Sequence, residues 1–149
     1  MNFRAWILSS ALLLGVLTQT AAAIAAGARD RTEAEARRLL DPCPAEPADA
    51  AAFCRYQQAA FVRAYTAGRR GNAREQRNVA YMLLRGAEGA VRIDVGLSCA
   101  WYLVAAKRGP TSGIDRAMTD EVCGQLNADE RSLAEGQAAL LQKGQAPDR

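Results

Sequence analysis

The sequence predicts an all-α fold, a short solenoid of α/α-hairpins with about five to six helices behind an N-terminal signal peptide. Three observations support this prediction. Apolar residues recur at the spacing of amphipathic helices, and no segment shows a convincing strand-like alternation. Turn-forming residues separate these segments at short intervals. The pair Ala67 and Gly71 recurs as Ala105 and Gly109 at an offset of about 38 residues, which fits stacked helix pairs.

The first 26 residues have the form of a signal peptide. A short basic region at residues 2–4 precedes an apolar run from Trp6 to Leu17, and small residues follow it. We expect cleavage near Ala23 to Ala26, which leaves residues 27–149 as one domain of about 120 residues. The mature chain is then periplasmic or secreted, in a bacterial cell.

The alternative to a cleaved leader is a membrane anchor. Ala5 to Ala26 approaches the roughly 20 residues that a spanning helix needs. The polar segment Thr18-Gln19-Thr20 argues against an anchor, and no cysteine directly follows the apolar run, which argues against lipid attachment. We therefore expect no membrane insertion after the leader is cleaved.

The charge of the chain argues against nucleic acid as a partner. There are 19 Lys and Arg residues against 16 Asp and Glu, a net charge of +3 that falls to about +2 when Arg4 leaves with the leader. The densest basic positions, Arg37-Arg38 and Arg69-Arg70, are not interleaved with aromatic residues on an evident stacking surface. We interpret them as solvated helix faces.

The residue types that metal or cofactor chemistry requires are sparse. The chain has no histidine, which removes the commonest metal ligand and the usual general base near neutral pH. Its four cysteines are scattered in sequence, which makes a poor zinc site. No nucleophile motif or phosphate-binding glycine loop occurs. We therefore predict no catalytic residues, no metal and no cofactor.

The first two helices are delimited by prolines and glycines. The first runs from about Asp30 to Leu40 and stops at Asp41-Pro42. A proline-containing loop follows, and the second helix continues to a break at Gly68 to Asn72. We place the following residues on one apolar stripe of the second helix: Phe53, Ala60, Phe61, Ala64 and Tyr65.

Four more helices follow, each with start or stop signals. The third spans about Ala73 to Arg85 and ends at a glycine, and Asp94 caps the fourth, which ends at Gly109-Pro110. The fifth covers roughly Thr111 to Leu126. Asn127 then caps the sixth, whose first turn holds acidic residues that interact favourably with the helix dipole.

One stretch, residues 71–109, contains a specific order of small, aromatic and acidic residues. Its members are Gly71, Asn72, Ala73, Gln76, Asn78, Ala80, Tyr81, Gly86, Gly89, Asp94, Trp101, Tyr102, Ala105, Ala106 and Gly109. In this order they resemble a Sel1-like repeat, a relative of the tetratricopeptide repeat. The resemblance covers about residues 60–109 and extends more weakly to the C-terminus. It implies a Sel1-like helical domain over residues 27–149 in which helix pairs stack.

The resemblance also implies which residues pack between helices. Two alanines lie where helices approach closely, a tryptophan fills the space between pairs, an aspartate holds the start of a helix, and glycines form turns. These residues are Ala80, Ala105, Trp101, Asp94, Gly86, Gly89 and Gly109. The chain departs from the family pattern at Leu83 and Ser98, where tyrosine and alanine are usual, and its connection between the two helices of the repeat is longer.

All four cysteines lie in the exported part of the chain, where disulfides are favoured. If the fourth and fifth helices turn at residues 109–113, Cys99 and Cys123 each lie about 15 Å from the turn and face each other. Cys43 and Cys54 straddle the proline-containing loop. We favour these two pairs over the two other connectivities, and secreted Sel1-like proteins that bridge consecutive helices support them. The alternative is buried free thiols.

The expected function is that of a non-catalytic protein–protein interaction module, as the repeat resemblance implies. The residues that we expect to contact an unidentified protein partner are Tyr81, Arg85 and Tyr102 on the third and fourth helices. The alternative for the two aromatic rings is packing between repeats. Such an architecture indicates that the domain binds a protein, but it does not identify the partner.

A competing hypothesis is a small cell-envelope enzyme, or a regulatory subunit of a cell-wall-acting complex. Paired carboxylates for glycan hydrolysis would come from Asp94 with Asp115, or from Asp120 with Glu121. Because adjacent acids point to different sides of a helix, capping or solvation is the preferred interpretation of these residues.

Overall fold

The computed structural model describes residues 26–107, 113–143 and 145, and within them the prediction of an all-α fold is confirmed. The predicted leader up to residue 25 and Gly109 lie outside the described residues. The helices are α1 (residues 26–37), α2 (Ala48–Arg69), α3 (Ala73–Arg85), α4 (Val95–Ala106), α5 (Gly113–Cys123) and α6 (Ala128–Gln142), and a short 3-10 turn covers Ala87–Gly89. Among the residues described, the only extended pairing is an isolated antiparallel bridge between Leu40 and Val91.

The predicted limits of the first helix are wrong at both ends, because α1 is already helical at residue 26 and ends at residue 37. The chain leaves the helix early to pair with the connection between α3 and α4. The amide of Asp41 donates to the carbonyl of Ala90 at 3.2 Å, and the amide of Arg92 donates to the carbonyl of Leu39 at 2.8 Å. The unusually long connection therefore holds the segment that follows α1.

Three helices begin at side chains that accept hydrogen bonds from the exposed amides of the first turn. Asn72 accepts from the amide of Glu75 at 3.1 Å, and Asp94 accepts from the amide of Leu97 at 2.8 Å. Asn127 and Glu130 form a reciprocal capping box at the start of α6. These caps satisfy amides that have no partner inside the helix, which explains why the starts of α3, α4 and α6 agree with the sequence. The predicted end of the fifth helix is wrong, because α5 ends at Cys123.

Helix α4 forms the centre of the fold and packs against α3, α5 and α6. Its Trp101 is fully buried and meets Tyr65 of α2 edge to face, with ring centroids 5.2 Å apart. A Cβ at Gly68 would lie 3.0 Å from Cζ3 of Trp101, so the end of α2 approaches the indole closely because this residue is glycine. The hydroxyl of Ser98 donates to the carbonyl of Ala80 at 2.7 Å and joins α4 to α3.

Two disulfides join neighbouring segments with the pairing that the sequence favours. Cys43 is bonded to Cys54, with Cα atoms 5.7 Å apart, and ties the loop before α2 to that helix. Cys99 is bonded to Cys123, with Cα atoms 5.1 Å apart, and ties α4 to α5. Among the described residues, no helix is long and apolar enough to cross a membrane.

Candidate partner-binding surface

Helices α2 and α3 form a hairpin whose turn is as short as antiparallel neighbours require. Gly71 in this turn has φ +98°, a backbone conformation that glycine adopts without steric cost. Residues equally distant from the turn face each other across the hairpin. This register places Ala60 opposite Tyr81, and Tyr56 opposite Arg85.

A groove of about 540 Å³ runs between the outer faces of α2 and α3. Three alanines of α2 form its floor, and they leave room because their side chains end at Cβ. The lining residues are Ala60, Arg63, Ala64, Ala67, Asn72, Glu75, Asn78, Tyr81 and Met82. The groove therefore combines an apolar floor with polar, charged and aromatic walls, the composition typical of a recognition site.

Large aromatic side chains are exposed along this face. Tyr81 of α3 is 55% exposed, and on α2 Tyr56 is 62% and Phe53 is 50% exposed. The prediction that Phe53 shares a buried stripe with Phe61 is wrong. Each residue turns the helix by about 100°, so the covered face of α2 passes through the neighbouring Cys54 instead, which is 5% exposed.

The predicted partner-contacting residues separate into exposed and buried ones. Tyr81 and Arg85 are exposed on the outer face of α3, one turn apart. Tyr102 is 5% exposed and belongs to the hydrophobic core, so its expected exposure is wrong. The physical reason is the central position of α4, which neighbouring helices cover on three sides. Sequence periodicity alone did not identify Tyr56 and Phe53 as members of the exposed face.

Arginine dominates the charge of this surface. Arg63 lines the groove, and the side chains of Arg55, Arg74 and Arg85 are also exposed. Glu75 is the one acidic residue between positions 55 and 85. Its carboxylate accepts a hydrogen bond from the side-chain amide of Asn78 at 3.0 Å.

Behind this surface, Tyr65 is a buried ionisable group of the core. Burial, helped by the nearby negative charge of Glu35, raises the pKa of Tyr65 to about 12. The Arg69 guanidinium opposes this shift. Tyr65 therefore stays protonated at neutral pH.

The residues expected to pack within the repeat occupy interior or turn positions. Ala80, Trp101 and Ala105 are buried, and Asp94 caps α4. Gly86 and Gly89 both have positive φ, at +73° and +82°. Gly109 lies outside the described residues.

The expected carboxylate pairs can be followed only in part within the described residues. Asp94 is engaged in capping α4, and the side chain of Asp115 lies outside the described residues. Asp120 instead shares a cleft of about 330 Å³ with Glu135, beside the disulfide between Cys99 and Cys123. Within the described part of the chain, no cluster of three or more His, Cys, Asp or Glu residues is arranged to hold a metal ion.

A larger groove of about 1070 Å³ lies between α1 and the ends of α2 and α6. Its walls carry both signs of charge, with Glu33 and Glu35 on α1 facing Arg69, Arg70 and Lys143. The groove exists because Ala36 is the one fully buried residue in the part of α1 that the structure describes. The carboxylates that α1 presents to these cations favour the attachment of α1 more than the capture of a ligand.

Comparison of the chain with known proteins finds no matching family model, no matching curated protein and no matching solved structure. Within the described residues, the fold and the surface define an all-helical domain with a groove on one hairpin that Arg63 and Tyr81 line and further exposed arginines surround on the hairpin. What this domain binds must be inferred from its own side chains and their geometry.

Proposed function

We propose that the mature chain is a non-catalytic binding module, periplasmic or secreted by a bacterial cell, whose α2–α3 hairpin binds a partner protein. The observation that carries this proposal is the exposure of Tyr81 at a groove with an alanine floor, with the exposed Tyr56 one turn before Ala60 on the same face of α2. Tyrosine and arginine are enriched where proteins bind one another, because each buries a large surface and keeps a polar end. The α2–α3 groove is flanked by both residue types.

The rigidity of the hairpin supports this use. The α2–α3 pair is anchored from behind by Trp101, which packs against Tyr65 and Gly68. Side chains on such helices lose less conformational entropy on binding than side chains on a loop. The exposed tyrosines are therefore presented on a preformed surface.

Stacked Sel1-like repeats remain the architecture that we propose for the domain. The close packing of α3 on α4 supports it, as do the buried Ala80 and Ala105 and the left-handed Gly86. The two disulfides support export, because such bonds persist in oxidising compartments. Residues 1–26 supply the signal for export in this proposal.

The test is affinity capture from a bacterial envelope extract with the disulfide-bonded chain 27–149 as bait. We expect the wild type to retain a protein that the double variant Tyr56→Ser, Tyr81→Ser loses. Leu140→Ser is the matched control, because Leu140 is 60% exposed on α6, outside the groove. Circular dichroism of each variant verifies that the fold is intact. Equal retention by all three chains, or by none, would exclude the α2–α3 surface as the binding site.

A small envelope enzyme, or a regulatory subunit of a cell-wall-acting complex, is the second candidate. The cleft that holds Asp120 and Glu135 favours it, because glycan hydrolysis uses two carboxylates in one cleft. The test is release of soluble fragments from purified peptidoglycan, with Asp120→Asn and Glu135→Gln as variants. Release that either variant abolishes supports an enzyme, whereas wild-type protein without activity supports the binding module.

A further inference from the structure

The charge of the chain is concentrated on the hairpin that carries the groove. Positions 55–85 contain seven arginines against one glutamate, a net charge of +6, although the whole chain has a net charge of only +3. Positions 113–142 contain six acidic residues against two arginines, a net charge of −4. The α2–α3 hairpin is therefore strongly cationic, although the net charge of the whole chain is small.

Four of these arginines are available for intermolecular contacts. Among the residues that the structure describes, no acidic group lies within ion-pair distance of Arg55, Arg63, Arg74 or Arg85. Arg69 differs, because its guanidinium donates to the carbonyl of Leu141. Arg63 thus brings an exposed guanidinium to the groove, and Arg85 adds a second one turn beyond Tyr81.

All the basic residues of this hairpin are arginines. A guanidinium has a planar set of donors that fits a carboxylate in a bidentate manner, which the ammonium group of lysine does not. Between the arginines, the alanine floor and the exposed rings of Tyr56 and Tyr81 offer an apolar contact. A ligand that matches both features has carboxylates on either side of an apolar side chain.

We propose that the α2–α3 groove binds an acidic polypeptide segment of another exported protein. This inference rests on the proposed function and names the partner's chemistry. Glutamate or aspartate side chains of the segment pair with Arg63 and Arg85, and an apolar side chain between them lies on the alanine floor beside Tyr81. A nucleic acid or an anionic lipid surface would use the positive charge but has no need of the narrow apolar floor. Opposite charges also accelerate the encounter, so binding weakens as salt rises.

The experiment measures fluorescence anisotropy of a labelled peptide of about ten residues in which glutamate alternates with leucine and phenylalanine. The matched peptide has glutamine at every glutamate position. We expect the acidic peptide to bind the disulfide-bonded chain 27–149 at least about tenfold more tightly than the glutamine peptide. This preference shrinks between about 50 mM and about 500 mM salt.

Two double variants with the same change in net charge locate the binding site. Arg63→Glu with Arg85→Glu is expected to weaken binding of the acidic peptide about tenfold or more. Lys107→Glu with Arg116→Glu, at exposed positions after α4 and on α5 that do not line the groove, is expected to change it less than about twofold. Because all four side chains are exposed, both variants should fold, which circular dichroism checks. Equal effects of the two variants would overturn the proposal, as would equal binding of the two peptides.

Three further outcomes separate this inference from the proposed function. Envelope capture could depend on Tyr56 and Tyr81 while the captured segment is neutral or basic. That result would contradict the inference of an acidic partner and would still support the α2–α3 surface as the binding site. Tighter binding of single-stranded DNA or of anionic vesicles than of the acidic peptide also overturns the polypeptide assignment. Self-association in sedimentation that Arg63→Glu with Arg85→Glu abolishes would identify the acidic α5–α6 region of a second copy as the occupant instead.

Discussion

Gly86 terminates α3 and is the first of four consecutive residues with positive φ. Its φ is +73°, and the values at Ala87, Glu88 and Gly89 are +41°, +57° and +82°. A left-handed backbone is strained for residues that have a Cβ atom, so this turn depends on its glycines. The turn directs the chain to the bridge with Leu40.

We predict that Gly86→Ala destabilises the protein more than Gly89→Ala does. Both changes introduce the cost of a left-handed alanine, about 1–2 kcal/mol. A Cβ at position 86 would also lie 3.0 Å from Cγ1 of Ile93 and 3.2 Å from the carbonyl of Val91, whereas one at position 89 meets no atom within 4 Å. Urea denaturation should show a loss of about 2–4 kcal/mol for Gly86→Ala. Equal losses would show that backbone conformation alone sets the requirement.

The raised pKa of Tyr65 makes the free energy of unfolding depend on pH in the alkaline range. Its pKa is about 12 in the folded chain against 10.0 for the ordinary phenol, so the folded state holds the proton more tightly than the unfolded state. The corresponding stability is fully present below pH 10 and is lost as pH rises towards 12. The shift is equivalent to about 2–3 kcal/mol.

We predict that Tyr65→Phe removes most of this decline between pH 10 and pH 12. At neutral pH the variant loses only the hydroxyl group, and its stability should fall by no more than about 1 kcal/mol. Urea midpoints measured at intervals from pH 7 to pH 11.5 compare the two chains, with Tyr81→Phe as an exposed control. Parallel pH profiles for the wild type and Tyr65→Phe would show that another group causes the decline.

At the scale of elements, α4 organises the packing and α5 depends on it. Among the described helices, α5 packs chiefly against α4, and the disulfide between Cys99 and Cys123 joins the two. The other disulfide, between Cys43 and Cys54, closes a shorter stretch of chain at the start of α2. The two bonds therefore protect different parts of the fold.

We predict that replacing Cys99 and Cys123 by alanine affects α5 more than any other helix. Chain entropy assigns this bond about 3.5 kcal/mol, against about 3 kcal/mol for the shorter loop closed by Cys43 and Cys54. Hydrogen exchange should show loss of protection across α5, whereas the Cys43→Ala, Cys54→Ala variant keeps α5 protected. Unchanged protection of α5 in the first variant would mean that packing on α4 holds it without the bond.

The features that the sequence predicts well are those with local causes. Helix starts at Asn72, Asp94 and Asn127 are recognisable because a cap lies within one turn of the amides that it satisfies. The bridge between Leu40 and Val91 has no such local signature, because its partners are distant in sequence. The end of the first helix was misplaced for this reason.

The candidate site was only partly predictable for a related reason. Periodicity identifies residues that share a helix face, but it does not say which faces a third helix covers. Tyr81 was placed correctly at the surface because polar residues surround it on α3. Tyr102 and Phe53 were misplaced because burial depends on the packing of α4 and on the limited cover over the first half of α2.

At the scale of the whole molecule, Gln145, which follows α6, lies against the end of α2. The side-chain amide of Gln145 donates to the carbonyl of Leu141 at 2.8 Å and lies near the carbonyl of Gly68 and the side chain of Gln76. Gln76 itself is fully buried and donates to Gly68 at 3.0 Å. Gln145 therefore connects the part of the chain after α6 to the end of α2.

The concentration of arginines on the α2–α3 hairpin opposes folding while it favours an acidic partner. Arg74 shows the conflict most directly, because it stands in the first turn of α3, where the helix dipole disfavours a cation.

We predict that Arg74→Glu stabilises the chain by roughly 0.5 kcal/mol at low salt, since it replaces this cation with an anion and relieves repulsion from neighbouring arginines. The gain should shrink towards zero at about 1 M salt, where charges are screened over about 3 Å. Thermal denaturation at the two salt concentrations measures it, and Arg116→Glu on α5 is the control outside the cationic region. A stabilised variant that also binds the acidic peptide more weakly would mean that the surface is maintained for binding at the expense of stability, whereas a destabilised one would mean that Arg74 supports the fold.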